Sequence, residues 1–386
     1  MSPWPWYAPD ERAAADAVLA SGHVNYWTGQ ETRLFEKEYA NYLNVRHAVA
    51  LANGSVALEL PLRMWGIGRG DDVIVTPRSF MASVSCAVLQ GARPVFADVD
   101  RDSGNITAET ISRVLTPQTR AIIPVHLAGW PCDLDPIMAL AEQHGIQVLE
   151  DCAQAHGARY KDRPVGSIGH AAAFSFCQDK IITTAGEGGL LATNDEGLWG
   201  RSWSFKDHGK TWDAVYTRKH GPGFRWVHDR FGTNWRLTEP QSAIGRRQLL
   251  KLDGWVQTRR QHAAILTDRL SVLGALRIPE IPANVYHAQY KFYTYVRPEA
   301  LKANWSRDRL IEAIGARGVP CFSGSCSEIY RERAFDATGW APAERLPVAR
   351  ELGETSLMFL VHPTLSQDYV HWVCDVVQEI VSAATS

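Results

Sequence analysis

The 386-residue sequence contains no run of about 18 consecutive apolar residues, so a helical membrane span is not expected. It begins MSPWPWYAPDERAAADAV, without the basic and apolar regions of a secretory leader, and a cytoplasmic location is expected. In that setting the N-x-S/T patterns at Asn105 and Asn304 carry no expectation of glycosylation. There is no excess of either charge: 40 Lys and Arg stand against 42 Asp and Glu, a net of −2, which gives no support to nucleic-acid or anionic-membrane partners. A disulfide framework is also missing. The seven cysteines (Cys86, Cys132, Cys152, Cys177, Cys321, Cys326 and Cys374) are scattered and odd in number, so reduced thiols are expected. Cys321 and Cys326, in CFSGSC, have no second Cys/His pair at zinc spacing, and no metal is expected. No G-x-G-x-x-G follows a strand and opens a helix, which argues against a nicotinamide-binding Rossmann protein. Internal repeats and low-complexity segments are absent too.

What is present is the texture of a folded α/β chain, with 45% hydrophobic and 21% charged residues. Fourteen tryptophans are many for this length, enough for some to line a binding site. Short β-rich runs (DDVIVT, RPVFADV, AIIPVHL, IQVLED, AAAFSF, GGLLATN) alternate with helical patterns over the first 250 or so residues, and DPIMALAEQHG reads as a crossover helix. Continuous apolar strands separated by helices predict a mostly parallel sheet covered on both faces. A single long helical pattern runs from Glu239 toward Leu273. Beyond it YKFYTYV alternates as a strand, SRDRLIEAIGARG reads as a helix capped by Ser306, and QDYVHWVCDVVQEIV as a closing amphipathic helix. The expected organisation is a large α/β domain over 1–250 and a smaller α+β domain over 251–386.

Four groups carry candidate chemistry. In NGSVALELPLRMWG a Gly-Ser turn opens a helix, and Gly54 permits close backbone approach at an anion-binding N-terminus; Ser55 also fits a plain N-cap. In VLEDCAQAHG, Asp151 ends a buried strand, where ligands of parallel sheets bind and where a carboxylate needs a positive or hydrogen-bonding partner. In AAAFSFCQDKIITTAGEGG, Ser175 closes a strand and Lys180 follows in the loop, where a desolvated amine can attack an aldehyde. In FGTNWRLTEPQSAIG, Asn234 and Arg236 precede a helix and offer donors to an anion.

Together with GDDVIVTPRSFMAS, PVFADVD, PVHLAGWPCDLD, GEGGLLATND and KDHG, these segments resemble, in order and over nearly the whole chain, the DegT/StrS-type sugar-nucleotide aminotransferases. The resemblance implies PLP fold type I, a mostly parallel mixed sheet flanked by helices with a smaller C-terminal α+β domain. It also implies pyridoxal 5'-phosphate, cycling with pyridoxamine 5'-phosphate, as cofactor. Lys180 then matches the Schiff-base lysine and Asp151 the partner of the ring nitrogen. Gln154 matches the residue near the ring's phenolic oxygen, Ala153 the small side chain under one ring face, and Phe80 the aromatic on the other. Gly54, Ser55 and Ser175 match phosphate-binding positions, and Asn234 an Asn that reaches the phosphate from the neighbouring subunit, which implies a homodimer with shared active sites.

The implied reaction moves an amino group from L-glutamate to a nucleotide-linked keto-sugar, with Lys180 as general base and acid. GSCSEIYRERAF is associated with C4-type enzymes of surface-polysaccharide and amino-sugar biosynthesis, so a UDP- or dTDP-4-keto-6-deoxyhexose is the expected acceptor. Amination at C3, a keto-cyclitol acceptor, and a non-catalytic regulatory or binding relative stay as alternatives. Lys180 argues against the related dehydratases that carry a His at its place. His23, Tyr26, His126, Trp130, Lys206, His208 and Tyr330 are candidate substrate contacts. The aromatic and basic stretch 210–230 reads either as a substrate-covering loop or as a segment packing on the next subunit.

Overall fold

The computed structural model describes residues 3–385. Its main sheet has seven strands: β1 (His47–Leu51), β2 (Asp72–Val75), β3 (Arg93–Phe96), β4 (Thr119–Ile123), β5 (Gln147–Asp151), β6 (Ala171–Ser175) and β7 (Gly189–Thr193). They lie in the order β1-β7-β6-β5-β4-β2-β3. Pairings from β6 through β5, β4 and β2 to β3 are parallel, whereas β7 runs antiparallel to both β6 and β1. Strands β2, β6 and β7 are buried along their whole length, as expected when helices cover both faces. Six of these strands follow the apolar runs read from the sequence; β1, HAVAL, was not among those runs and pairs antiparallel with β7 at the edge of the sheet.

The helical pattern after Glu239 is two helices, not one. Glu239–Leu249 and Leu252–Leu270 are separated at Leu250 and Lys251, and Leu250 is 80% exposed at the break. The second helix then serves two cores: Leu252 and Val256 pack under the main sheet, and Ala263, Leu266 and Leu270 pack beneath a second one. That second sheet is antiparallel, with β8 (Leu276–Arg277), β9 (Phe292–Val296), β10 (Cys321–Phe322) and β11 (Ser356–Phe359) in the order β8-β9-β11-β10. It is covered by Arg307–Ala316, whose N-cap Ser306 accepts from the Arg309 amide at 3.2 Å, and by Gln367–Thr385. Over 210–230 the chain forms a strap closed by an Arg218–Asp229 ion pair, with Phe224 and Trp226 exposed. No helix of the described residues is long and apolar enough to cross a membrane. All seven cysteines are free.

Candidate active site

Parallel strands place their carboxyl ends on one edge, and here the ends of β5 and β6 face the start of the helix Gly54–Met64 across a cavity of ≈ 1100 Å³. Gly54, Ser55, Phe80, Asp151, Ala153, Gln154, Ser175 and Lys180 all line it. Residues from the second sheet, among them Tyr293, Phe322 and Met358, and Tyr290 and Lys291 just ahead of it, also line the cavity.

The helix start is built as an anion cradle. Asn53, rather than Ser55, is the N-cap: its Oδ1 accepts from the Val56 amide at 3.0 Å. That leaves the Ser55 hydroxyl exposed in the cavity and the first amides of the helix without intrahelical partners. Gly54 is required here by space, since a Cβ on it would lie 2.6 Å from the Ser175 Cβ. The end of β6 is fixed from behind by His156, whose Nε2 lies 2.8 Å from the Ser175 carbonyl and whose Nδ1 lies 2.7 Å from the Tyr39 hydroxyl. Burial pushes His156 down to about 3, so this support is neutral.

Asp151 is buried, with only the Ser83 hydroxyl (2.7 Å) and the Ala153 amide (3.1 Å) as donors to its carboxylate. Burial pushes its pKa above the usual carboxylate range, against the pull of those two bonds and of Lys180. Such a group favours a cationic partner, and a protonated pyridine nitrogen is one. Gln154 presents its Oε1 to the Ala128 amide at 2.8 Å, which holds the side chain at the cavity wall. Phe80 stands on the rim, 71% exposed.

Lys180 lies in the β6–β7 loop. Its amide donates to the Cys177 carbonyl, and its carbonyl accepts from the Trp4 indole N–H at 3.1 Å. The Lys180 ammonium is 5.2 Å from the centre of the Tyr290 ring. Around it, Tyr290 donates to Asp179 at 2.5 Å, Lys291 lies 3.4 Å from the same carboxylate, and Arg259 donates to the Tyr290 carbonyl at 3.1 Å. A bound pyridoxal phosphate fits these groups: Gly54, Ser55 and Ser175 would hold its phosphate, Asp151 its ring nitrogen and Lys180 its aldehyde. Sequence reading missed Tyr290 and Lys291, which lie in the bend just ahead of the strand Phe292–Val296, and Ser83, whose only signal was its place in PRSFMAS.

The other sequence candidates lie elsewhere. Tyr26 is 1% exposed and bonded to Glu36 and Trp203. His126 is fully buried, with Nε2 3.0 Å from Glu150 and Nδ1 accepting from the Cys132 amide. Lys206 is fully buried too, its ammonium 3.4 Å from the centre of the Tyr26 ring with no hydrogen-bond partner, and burial pushes it down to about 8. Tyr330 joins Glu328 and the Leu346 amide, and Trp130 packs on His287. These side chains are committed to internal partners, so none of them lines the cavity as a substrate contact. His23 and His208 are exposed but outside the cavity lining, and so is Asn234.

The model of the DegT/DnrJ/EryC1/StrS aminotransferase family matches residues 7–378. GDP-perosamine synthase of Escherichia coli O157:H7 is 33% identical over 371 residues, spanning 95% of this chain and 93% of that relative. The dTDP-3-amino-3,4,6-trideoxy-alpha-D-glucose transaminase of Streptomyces venezuelae is 35% identical over 368 residues, 95% of this chain and 91% of its own. Among solved structures, an aminotransferase from Psychrobacter cryohalolentis matches with a TM-score of 0.98 at 52% identity, covering 100% of both chains.

Proposed function

The chain belongs to the DegT/DnrJ/EryC1/StrS aminotransferase family and has its PLP type I fold, and from that premise we propose that it moves an amino group from L-glutamate to C4 of a UDP- or dTDP-linked 4-keto-6-deoxyhexose. The observation that carries this reading is the convergence of Lys180, Asp151 and the Gly54 helix start on one cavity. Pyridoxal phosphate, when bound, supplies an aldehyde that takes up the amine and a ring that accepts electrons.

The chain's own residues do the rest. Gly54, Ser55 and Ser175 bind the phosphate with backbone and hydroxyl donors. Asp151, oriented by Ser83 and the Ala153 amide, keeps a proton on the ring nitrogen. Lys180 would take the proton from the donor's α-carbon as general base and deliver it, as general acid, to the cofactor carbon that carried the aldehyde. Support for a C4 acceptor comes from the segment Gly324–Cys326, with Ile329 and Glu332, which belongs to the GSCSEIYRERAF motif and lines the same cavity. Relatives named for GDP-, dTDP- and UDP-linked amino sugars support a nucleotide-sugar acceptor. Asn234, exposed and away from its own cavity, is read as reaching the phosphate of a second copy in a homodimer.

The test is an absorbance spectrum of the cofactor-loaded protein. The yellow band should bleach with L-glutamate, return on adding a UDP- or dTDP-4-keto-6-deoxyhexose, and be absent in Lys180→Ala. Recovery with a 3-keto-sugar or a keto-cyclitol instead would overturn the C4 reading, and a wild-type band indifferent to glutamate would overturn the donor.

A further inference from the structure

Both substrates of the proposed reaction are anionic, yet the cavity is lined by four carboxylates, Asp151, Asp179, Glu187 and Glu332, and by only two cations among the described residues, Lys180 and Lys291. Lys180 is occupied with the transfer itself. We propose that Lys291 is the site that receives the donor's carboxylate, a role that rests on the cavity being an amino-transfer site.

The placement of Lys291 argues for the donor and not for the acceptor's diphosphate. An amino acid carries its carboxylate on the same carbon as the amine to be transferred, so the group that binds it must lie beside the lysine whose place that amine takes. In a nucleotide-sugar the diphosphate is separated from the keto carbon by the sugar ring. Lys180 and Lys291 both approach one aromatic ring, with their ammonium groups 5.2 and 4.7 Å from the centre of Tyr290, so the two charges lie within about 10 Å of each other.

Lys291 is also available to an anion. Its one ion pair among the described residues is with Asp179, at 3.4 Å to the same oxygen that accepts from the Tyr290 hydroxyl at 2.5 Å. An ammonium has three donors, and this single long contact leaves others directed elsewhere. The side chain is 16% exposed and belongs to the cavity lining. Burial, together with the neighbouring Arg259 and Lys180 cations, holds its pKa below the ordinary lysine value, and an arriving carboxylate relieves that strain on the charge. Arg259 cannot take the role itself: it is buried beneath Tyr290 and does not line the cavity.

The experiment uses the full-length, cofactor-loaded protein with Lys291→Met, which keeps the stem and removes the charge, and Lys291→Arg, which keeps the charge. Lys291→Gln replaces the Met variant if that fails to fold. Glutarate, which is L-glutamate without its amine, is the probe, and its binding is read by thermal shift. Loss of one charge-assisted contact should raise its half-saturation about 10- to 100-fold in Lys291→Met and leave Lys291→Arg near wild type. In the glutamate half-reaction the same variant should raise the half-saturating concentration with little change in maximal rate. Equal glutarate binding by wild type and Lys291→Met, or binding by neither, overturns the proposal. Lys291-dependent glutarate binding without bleaching by glutamate would leave the anion site standing and remove the transamination reading.

Discussion

Gly54→Ala would separate the cradle from its support. In the native geometry the added Cβ lies 2.6 Å from the Ser175 Cβ, 2.9 Å from its Oγ and 3.2 Å from its Cα. Carbon contacts are comfortable at about 3.5–4.0 Å, so the helix start and the end of β6 must part by roughly 1 Å. Nothing flexible is there to yield, because two of the three atoms belong to the strand's own Cα and Cβ. Overpacking of this kind costs about 1–3 kcal/mol, and the better helix propensity of alanine offsets about 0.5–1 of it. The net is a destabilisation of up to about 2 kcal/mol, visible in urea unfolding of the cofactor-free protein. The same displacement moves the helix amides away from the phosphate. Loss of one charge-assisted bond is about 1.5–3 kcal/mol, or a 10- to 100-fold weaker binding of pyridoxal phosphate in an absorbance titration. Ser175→Gly in the same chain should restore part of the lost stability, since it removes the Cβ and Oγ and leaves only the Cα at 3.2 Å. A Gly54→Ala protein that is more stable than wild type and binds the cofactor equally well would refute the close approach on which the cradle depends.

Lys206 makes stability depend on alkaline pH. Its folded pKa of about 8 lies below the unfolded value of about 10.4, so the unfolded chain holds the extra proton between them and stability rises with pH across that window. Lys206→Met should lose that rise, so its stability relative to wild type should fall between pH 7 and pH 10; urea midpoints at both values check it, and a constant difference would show that Lys206 does not titrate as argued. Glu150 acts at the acid end. Burial opposes its charge, but the bond to His126 and the Gly169 and Gly166 amides outweigh it and hold the pKa below the usual value, so its contribution is present above about pH 4.3 and lost as pH falls below it. Glu150→Gln should therefore flatten the acid limb of the stability profile, and an unchanged limb would remove Glu150 from that role. Asp151→Asn should leave the fold intact while lowering turnover at least about 100-fold, measured under saturating substrates; wild-type turnover would take Asp151 out of the reaction.

Legibility followed distance along the chain. Strand ends and the turns that follow them are local, so the segments holding Gly54, Asp151, Ser175 and Lys180 could be read as candidate sites before the sheet that gathers them was seen. The order of that sheet, with β7 antiparallel and β1 at its edge, was not legible, because HAVAL has no pattern until β7 lies beside it. Lys291 was hidden for the same reason: it meets Asp179 across more than a hundred residues of chain. The candidates that do not line the cavity share a different cause. Tyr26, His126, Lys206 and Tyr330 look like surface chemistry in a sequence, and only their partners show them to be interior. A fully buried lysine over a tyrosine ring runs against every expectation from composition. The break at Leu250 was equally invisible, since both helices continue one apolar periodicity.

The segment ahead of the first helix has a practical consequence. Trp4 gives its indole N–H to the Lys180 carbonyl and packs on Trp255 and His362, and the Pro3 carbonyl accepts from Thr364. The loop carrying Lys180 is thus held by residues distant from it in sequence on either side. None of residues 3–8 lines the cavity, yet removing them takes that bond away. A truncated protein that keeps its fold but loads pyridoxal phosphate poorly would report a loosened Lys180 loop.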